Sequence, residues 1–201
     1  MPLQIFFVRH GETAWSKSGQ HTGLTDIPLT EPGERKARAL GERLRAVAFS
    51  RVFTSPLQRA RRTCELAGLP RAAEVEPDLV EWNYGAYEGR RTAEIRLERP
   101  DWDLFRDGGP GGETPAQVSA RADRLLARLR ALDGNVALFS HGHFGRVLAA
   151  RWIGLTVDGA RRFLLSTDSL SILGYEHGNP AAPVISVLNM TADDDLGAPP
   201  R

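Results

Sequence analysis

Residues 3–13 of this chain read L-Q-I-F-F-V-R-H-G-E-T. The apolar run at 5–8 is rich in β-branched and aromatic side chains, which predicts a buried strand. The run stops at Arg9 and His10, at the strand end where α/β proteins bind ligands. Gly11 then allows a sharp turn and leaves room beside the imidazole. Taken alone, this three-residue motif also fits an ordinary polar strand end.

A second apolar run, at 136–139, ends in the same way, with Ser140, His141 and Gly142. The sequence therefore predicts two strands that each deliver a His-Gly pair to one edge of a sheet. A third strand is predicted at 51–55. A helix that starts near a proline follows it at 57–67, with Arg59 in its first turns.

Further along the chain, strands and helices alternate, which predicts an α/β fold with a largely parallel central sheet. Thr30 is expected to cap a helix, and Thr114 a second one. The remaining expectations are loops at 15–23 and 108–112, helices at 31–48, 91–98, 101–106, 115–132 and 144–152, and strands at 74–79, 170–175 and 183–189.

Five motifs together resemble the histidine phosphatase superfamily, the phosphoglycerate-mutase-like proteins, in its small-molecule phosphatase branch. They are R-H-G-E-T at 9–13, T-G-L-T-D-I-P-L-T-E-P-G at 22–33, S-P-L-Q-R-A-R-R-T at 55–63, E-W-N-Y-G-A-Y-E-G at 81–89 and S-H-G at 140–142. They occur in the family's order and cover nearly the whole chain. The resemblance implies a three-layer α/β/α sandwich with a mostly parallel central sheet.

Length and composition are consistent with one domain over residues 1–192, followed by a disordered tail at 193–201. The 201 residues carry a net charge of +1, which does not favour nucleic acid or a membrane surface as a partner. Cys64 is the single cysteine, so a disulfide within the chain and a cysteine-based metal cluster are excluded. No targeting or membrane-spanning stretch stands out, so a cytoplasmic protein is expected. The oligomeric state stays open, with a homodimer as one option.

The arginines and histidines of these motifs suit phosphoryl transfer. A phosphomonoester repels a nucleophile, so a site must offset its charge and hold the nucleophile in line. Arg9, Arg59 and His141 are the expected sources of positive charge, without a metal or another cofactor. His10 is the expected nucleophile, which would form a phosphohistidine while the neighbouring cations keep it neutral. The resemblance assigns the same roles to these positions.

Glu81 is the predicted general acid for the leaving oxygen, because it matches the first Glu of the family's E-x-x-x-G-x-x-E-G segment. It would later deprotonate the water that cleaves the phosphohistidine. Glu88 and Glu12 are its rivals. Glu88 is expected instead to bind backbone groups of its own loop.

Looser contacts to phosphate or substrate are expected from several further residues. Thr22 offers a hydroxyl, Gly23 an exposed N–H, and Gly142 an N–H at a helix start. Ser16 stands where the family often has Asn, and its shorter side chain reaches less far.

Aromatic side chains at Trp82 and Tyr84 are expected to wall the substrate site. Arg90 is a candidate for a second anionic group of the substrate. The resemblance implies a small phosphomonoester as the substrate, and the 81–89 segment looks most like phosphatases that act on sugar phosphates; the physiological substrate itself is not readable from the sequence.

Three alternatives remain open at this point. A phosphoglycerate mutase shares the core, but the short segment between Glu81 and His141, with its glycine run, favours access of water and thus hydrolysis. A metal enzyme that uses His141 and His143 lacks a matching carboxylate cluster. A non-catalytic module that binds phosphorylated ligands needs neither a nucleophile nor a matched acid.

Overall fold

The computed structural model describes residues 1–69 and 73–191. Over these residues six strands form one sheet in the order β3-β2-β4-β1-β5-β6. The strands are β1 (Gln4–Arg9), β2 (Phe49–Thr54), β3 (Ala73–Val75), β4 (Asn135–Ser140), β5 (Leu170–Tyr175) and β6 (Pro183–Met190).

The sheet is parallel over four strands and antiparallel at one edge. β1 pairs with β4, β4 with β2 and β2 with β3, all in parallel. β5 pairs antiparallel with β1, and β6 with β5. The predicted α/β class with a mostly parallel sheet is confirmed. The two predicted late strands pair antiparallel as a hairpin that turns through a 3₁₀ segment at Glu176–Gly178.

Helices surround the sheet. They are α1 (Ala14–Ser18), α2 (Glu31–Leu44), α3 (Gln58–Leu66), α4 (Thr92–Glu98), α5 (Leu104–Asp107), α6 (Pro115–Leu129) and α7 (Gly142–Trp152). Two of them start at the predicted caps: the Thr30 hydroxyl accepts from the Gly33 N–H at 3.2 Å, and Thr114 caps α6 in the same way.

Alternating residues of β1 divide the core into two layers. Ile5 and Phe7 pack in one apolar cluster with α6 and α7. Phe6 and Val8 pack in another, with α2 and α3. This follows from the two-residue period of a strand, which sends successive side chains to opposite faces. The result is a three-layer sandwich with the sheet in the middle.

Three local predictions are wrong. The predicted loop at 15–23 contains α1, which is stabilised by a capping box between Thr13 and Ser16. The predicted strand at 74–79 ends at Val75, because a proline opens a 3₁₀ turn at Pro77–Leu79. Helix α2 ends at Leu44 rather than near residue 48.

The expected disordered tail at 193–201 lies outside the described residues, and the single-domain boundary stays a prediction. None of the described helices has the length and apolar character needed to cross a membrane.

Candidate active site

The two His-Gly pairs lie side by side at the carboxyl ends of neighbouring strands. Arg9 of β1 is in register with Ser140 of β4. The His10 N–H donates to the Ser140 carbonyl at 2.9 Å, and the ring centroids of His10 and His141 are 5.2 Å apart. The strand ends therefore bring together the two histidines that the sequence predicted would meet.

The His10 ring is held in one tautomer. Its Nδ1 lies 2.8 Å from the Gly11 carbonyl, which can only accept, so Nδ1 carries the proton and Nε2 carries the lone pair. Burial, then Arg59 and Arg9, lower the pKa of His10 well below 6.5. A Cβ at Gly11 would come within 2.8 Å of Asp168 Oδ1, so the backbone beside His10 requires glycine. The ring is thus neutral and has a nucleophilic nitrogen.

Arg9 supplies a cation next to His10. Its Nη1 donates to the Leu165 carbonyl, while its buried Nε has no hydrogen-bond partner among the described residues. Gly142 gives the guanidinium room, since a Cβ there would meet Arg9 Cζ at 3.1 Å. An unpartnered buried donor is a suitable contact for an anion.

His141 and Arg59 lie fully buried behind this pair. Arg59 Nε donates to His141 Nδ1 at 3.2 Å, so the neutral ring carries its proton on Nε2, which is 2.8 Å from the Ser55 hydroxyl. Both ring nitrogens of His141 are therefore engaged within the protein.

The charge expected at His141 needs correction. Burial, followed by Arg59, lowers the pKa of His141 well below 6.5, so this ring is neutral and the positive charge comes from the arginines. Arg59 also donates to the carbonyls of Thr22, Gly23 and Thr25 at 2.7–3.1 Å. Arg59 therefore links the 22–25 loop to His141.

Glu81 is buried and anchored on the start of α7. Its Oε1 accepts from the Phe144 N–H at 2.7 Å and the Trp82 N–H at 2.9 Å. Its Oε2 accepts from the His143 N–H at 3.0 Å. A carboxylate at a helix N-terminus is favoured by the helix dipole, and these three donors fix its position.

A cavity of about 290 Å³ opens beside His10, and it is lined by three of the five predicted catalytic residues: Arg9, His10 and Glu81. Four of the predicted binding residues also line it, namely Ser16, Thr22, Tyr84 and Gly142. The Ser16 hydroxyl proton is used locally, because Oγ donates to the Thr13 carbonyl at 3.0 Å.

Three predicted binding residues lie elsewhere. The Gly23 N–H is not exposed, since it donates to Glu88 Oε1 at 2.7 Å. Glu88 thereby binds the 22–25 loop rather than its own, which corrects that expectation too. Trp82 is fully buried, with its indole N–H on the Glu113 carbonyl at 2.9 Å.

Arg90 also lies outside the cavity lining. Its guanidinium pairs with exposed Glu98 at 2.5 Å and stacks over the Tyr87 ring. The Arg90 guanidinium, which had been expected to bind a second anionic group, is therefore engaged in an ion pair on the outer surface.

Sequence reasoning missed His21, Thr92 and Arg146 and considered His143 only as a metal ligand, yet all four line the cavity. Arg146 follows Gly142 by four residues, which puts both on one face of α7. That spacing was the available signal. No local pattern marked His21, which reaches the site only through the folding of its loop.

Among the described residues, no group of three or more His, Cys, Asp or Glu side chains could hold a metal ion. Both nitrogens of His141 are engaged as described above. His143 Nδ1 lies 2.6 Å from the Tyr84 hydroxyl. Both ring nitrogens of His141 and one ring nitrogen of His143 are thus engaged in protein contacts.

Residues 5–187 match the histidine phosphatase superfamily, branch 1. The chain belongs to this superfamily. The resemblance stated from the motifs is confirmed, and histidine phosphatase geometry accounts for a histidine, two arginines and a carboxylate at one strand edge.

Individual relatives point to chemistry on phosphate compounds. An acid phosphatase of Mycobacterium tuberculosis is 42% identical over 179 residues, covering 87% of this chain and 88% of the relative. A sedoheptulose 1,7-bisphosphatase of Saccharomyces cerevisiae is 41% identical over 188 residues, covering 77% and 69%. A probable phosphoglycerate mutase of Photorhabdus laumondii is 35% identical over 187 residues, covering 87% and 86%.

A solved structure of a Mycobacterium tuberculosis open reading frame has the same fold. Its TM-score is 0.89 at 39% identity, and the match covers 94% of this chain and 98% of the other. Together, family and relatives support a phosphatase that acts on small phosphate compounds.

Proposed function

We propose that the protein is a metal-independent phosphatase that hydrolyses small phosphomonoesters, sugar phosphates among them, through a phosphohistidine on His10. The observation that carries the proposal is the neutral His10 ring, with its proton on Nδ1 and its Nε2 lone pair free, at a cavity that Arg9 and Glu81 also line. A phosphatase of this type needs no cofactor, because arginine offsets the phosphate charge.

The first half-reaction transfers the phosphoryl group to the protein. His10 Nε2 attacks phosphorus, the N–P bond forms and the P–O ester bond breaks. Glu81 in its protonated form gives its proton to the leaving oxygen, so an alcohol departs rather than an alkoxide. Arg9 stabilises the charge that develops on the phosphoryl oxygens.

The second half-reaction returns the protein to its starting state. Glu81, now ionised, takes a proton from water as the water oxygen attacks phosphorus. The N–P bond breaks, inorganic phosphate leaves and His10 recovers its lone pair. Glu12 and Glu88 are poor substitutes: Glu12 accepts from the Thr30 hydroxyl at 2.7 Å, Glu88 holds the 22–25 loop, and neither lines the cavity.

Arg59 and His141 act from behind His10 in this proposal. They are fully buried and do not line the cavity, so their support for the phosphate comes through charge and through the position of His10. His141 contributes as a neutral ring, because its Nδ1 accepts from Arg59 Nε and its Nε2 is engaged with the Ser55 hydroxyl.

The metal-independent step is tested with p-nitrophenyl phosphate after exhaustive EDTA treatment. We expect unchanged release of nitrophenolate, with His10→Ala as the blank. Activity that disappears with EDTA and returns with Mg²⁺ or Zn²⁺ overturns metal independence. A wild-type protein without turnover of any phosphomonoester would support the non-catalytic binding module.

The similarity to a probable phosphoglycerate mutase favours the mutase alternative. One sequence argument against a mutase, the glycine run at 108–112 as a sign of water access, does not hold in the structure. The glycine run at 108–112 packs against the segment after Glu81, where the Pro110 carbonyl accepts from the Ala86 N–H at 2.8 Å. This run does not line the cavity, so it gives no measure of water access. The decision rests on experiment.

That experiment supplies 3-phosphoglycerate with a bisphosphoglycerate primer and follows both products. A phosphatase releases inorganic phosphate with little 2-phosphoglycerate, which is the result we expect. Rapid interconversion of the phosphoglycerates with negligible phosphate release identifies a mutase instead.

A further inference from the structure

A second depression of about 180 Å³ adjoins the cavity beside His10. The two share His21, Thr92, His143 and Arg146 in their walls. Arg146 therefore borders both the cavity that His10 lines and a neighbouring space beyond it.

Arg146 is fixed in that wall. Its Nε donates to the Ala160 carbonyl at 3.1 Å, and its Nη2 donates to the Arg161 carbonyl at 2.9 Å. Its guanidinium carbon lies 4.6 Å from the centre of the Phe105 ring. The side chain is half-buried. Such a guanidinium is pre-organised, so it loses little conformational entropy when it binds.

No carboxylate forms an ion pair with Arg146 within the described part of the chain. The ion pairs recorded there do not include it. Arg161, in the second depression, differs because it pairs with Asp158 and lies 3.8 Å from Asp103. A half-buried cation without an ion-pair partner is available to an anion. Burial lowers the pKa of Arg146, while the carboxylates of Glu81 and Asp103 oppose that shift from a longer distance; Asp103 also lines the second depression.

The part of the cavity wall formed by His21, Tyr84 and His143 is polar and aromatic. The rings of His21 and Tyr84 are 4.8 Å apart, and the Tyr84 hydroxyl lies 2.6 Å from His143 Nδ1. Burial lowers the pKa of His21 to about 4 and that of His143 well below 6.5, so both rings are neutral. Neutral imidazoles and a phenol exchange hydrogen bonds with hydroxyl groups, as a polyol chain would require.

We propose that Arg146 binds a second anionic group, a phosphate or a carboxylate, at the far end of a phosphorylated polyol whose other phosphate lies at His10. This assignment rests on the proposed function and specifies its substrate class. It gives to Arg146 the role that the sequence had led us to expect of Arg90.

The test compares three substrates that share one carbon skeleton. Glucose 6-phosphate has no second anion, 6-phosphogluconate carries a carboxylate at the far end, and glucose 1,6-bisphosphate carries a phosphate there. For the wild type we expect the highest kcat/KM with at least one of the two probes that carry a second anionic group, and which of them is preferred identifies the group.

Arg146→Gln should raise the KM of the preferred probe about 10- to 100-fold more than that of glucose 6-phosphate, as the loss of a charged hydrogen bond predicts. Arg146→Lys should recover part of the difference, because lysine restores the charge without the planar guanidinium that donates two hydrogen bonds at once. Arg151→Gln is the matched control on the same helix. It breaks a surface pair with Asp123, and we expect wild-type values.

Two results overturn the proposal. One is a wild type that gains nothing from a second anion, and the other is an Arg146→Gln variant that raises all KM values equally. A binding measurement distinguishes the absence of a second anion site from failure of the phosphatase reaction. Glucose 1,6-bisphosphate is titrated calorimetrically into His10→Ala with and without Arg146→Gln, and a weaker second titration supports the anion site even where no substrate is hydrolysed.

Discussion

The two His-Gly pairs begin from the same local design and end in different environments. Each histidine follows a buried parallel strand and precedes a glycine, and the strands are neighbours. His10 uses one ring nitrogen on the Gly11 carbonyl and borders the cavity. His141 uses both nitrogens, on Arg59 and Ser55, and is fully buried. The difference teaches that the same strand-end motif leaves a ring lone pair unoccupied in one place and engages it in another; under the proposed mechanism only the first histidine can act as the nucleophile.

The largest effects are expected when His10 and His141 are each replaced by alanine. His10→Ala should lower kcat on the order of 10⁴-fold or more, as loss of a nucleophile does, and its thermal unfolding should stay close to wild type. His141→Ala should cost about 10²- to 10³-fold in kcat. It should also destabilise the fold by about 1–3 kcal/mol, because buried Arg59 and Ser55 lose a partner.

The readouts are steady-state kinetics and urea unfolding on the same preparations. A His10→Ala variant that keeps near-normal turnover would reverse the roles of the two pairs. Equal effects of both substitutions on kcat and on stability would remove the distinction between them.

Glu81 lines the cavity and also accepts hydrogen bonds from the start of α7, the helix that follows His141. Glu81→Gln should slow hydrolysis of an alkyl phosphate about 10²- to 10⁴-fold. It should slow p-nitrophenyl phosphate much less, because nitrophenolate departs without a proton. Paired kcat measurements on the two substrates check this. Equal losses would point to a purely structural role in holding α7.

Acid should destabilise the fold through the four histidines whose pKa values are lowered. The pKa values of His10, His141, His143 and His21 are lowered in the folded protein, so below pH 6.5 the unfolded chain takes up protons that the folded chain refuses. Stability is therefore greatest above pH 6.5 and falls as the pH decreases, by about 1.4 kcal/mol per pH unit for each such proton. Urea unfolding at pH 7, 6 and 5 should show the midpoint falling.

Asp168 provides the control for that slope. Burial raises its pKa from 3.8 to about 6, so here the folded protein takes up the proton first and gains stability as the pH falls through that window. Asp168→Asn should remove this opposing contribution and make the decline below pH 6 steeper. A midpoint that does not change with pH in either protein would contradict the neutral-histidine account.

The smallest effect is expected outside both pairs, at Arg90. Its partner Glu98 is exposed, and exposed ion pairs contribute about 0–1 kcal/mol. Arg90→Gln should therefore change kcat/KM for glucose 1,6-bisphosphate less than about twofold and leave the unfolding midpoint close to wild type. A large rise in KM would return Arg90 to the binding site.

Much of the fold could be predicted from the sequence because its signals are local. Apolar runs ended at the histidines, and Thr30 and Thr114 marked helix starts that the structure confirms. Helix α1 was missed because it has only five residues. Its one sequence signal is the capping box between Thr13 and Ser16.

Contacts between distant residues were harder to predict. The Gly23 N–H is taken by Glu88, 65 positions away, so its exposure could not be judged from its own loop. Arg90 and Arg146 each follow a recognisable motif. Only the packing decides that one pairs with Glu98 on the surface while the other borders the cavity.

The central claim is that His10, and not its twin His141, carries the phosphoryl group. The direct measurement is a rapid quench of wild type with a ³²P-labelled substrate, followed by peptide mapping under alkaline conditions that preserve phosphohistidine. The account predicts an acid-labile, base-stable label on the peptide that contains His10, absent from His10→Ala. A label on the His141 peptide, or turnover with no labelled histidine at any quench time, would contradict it.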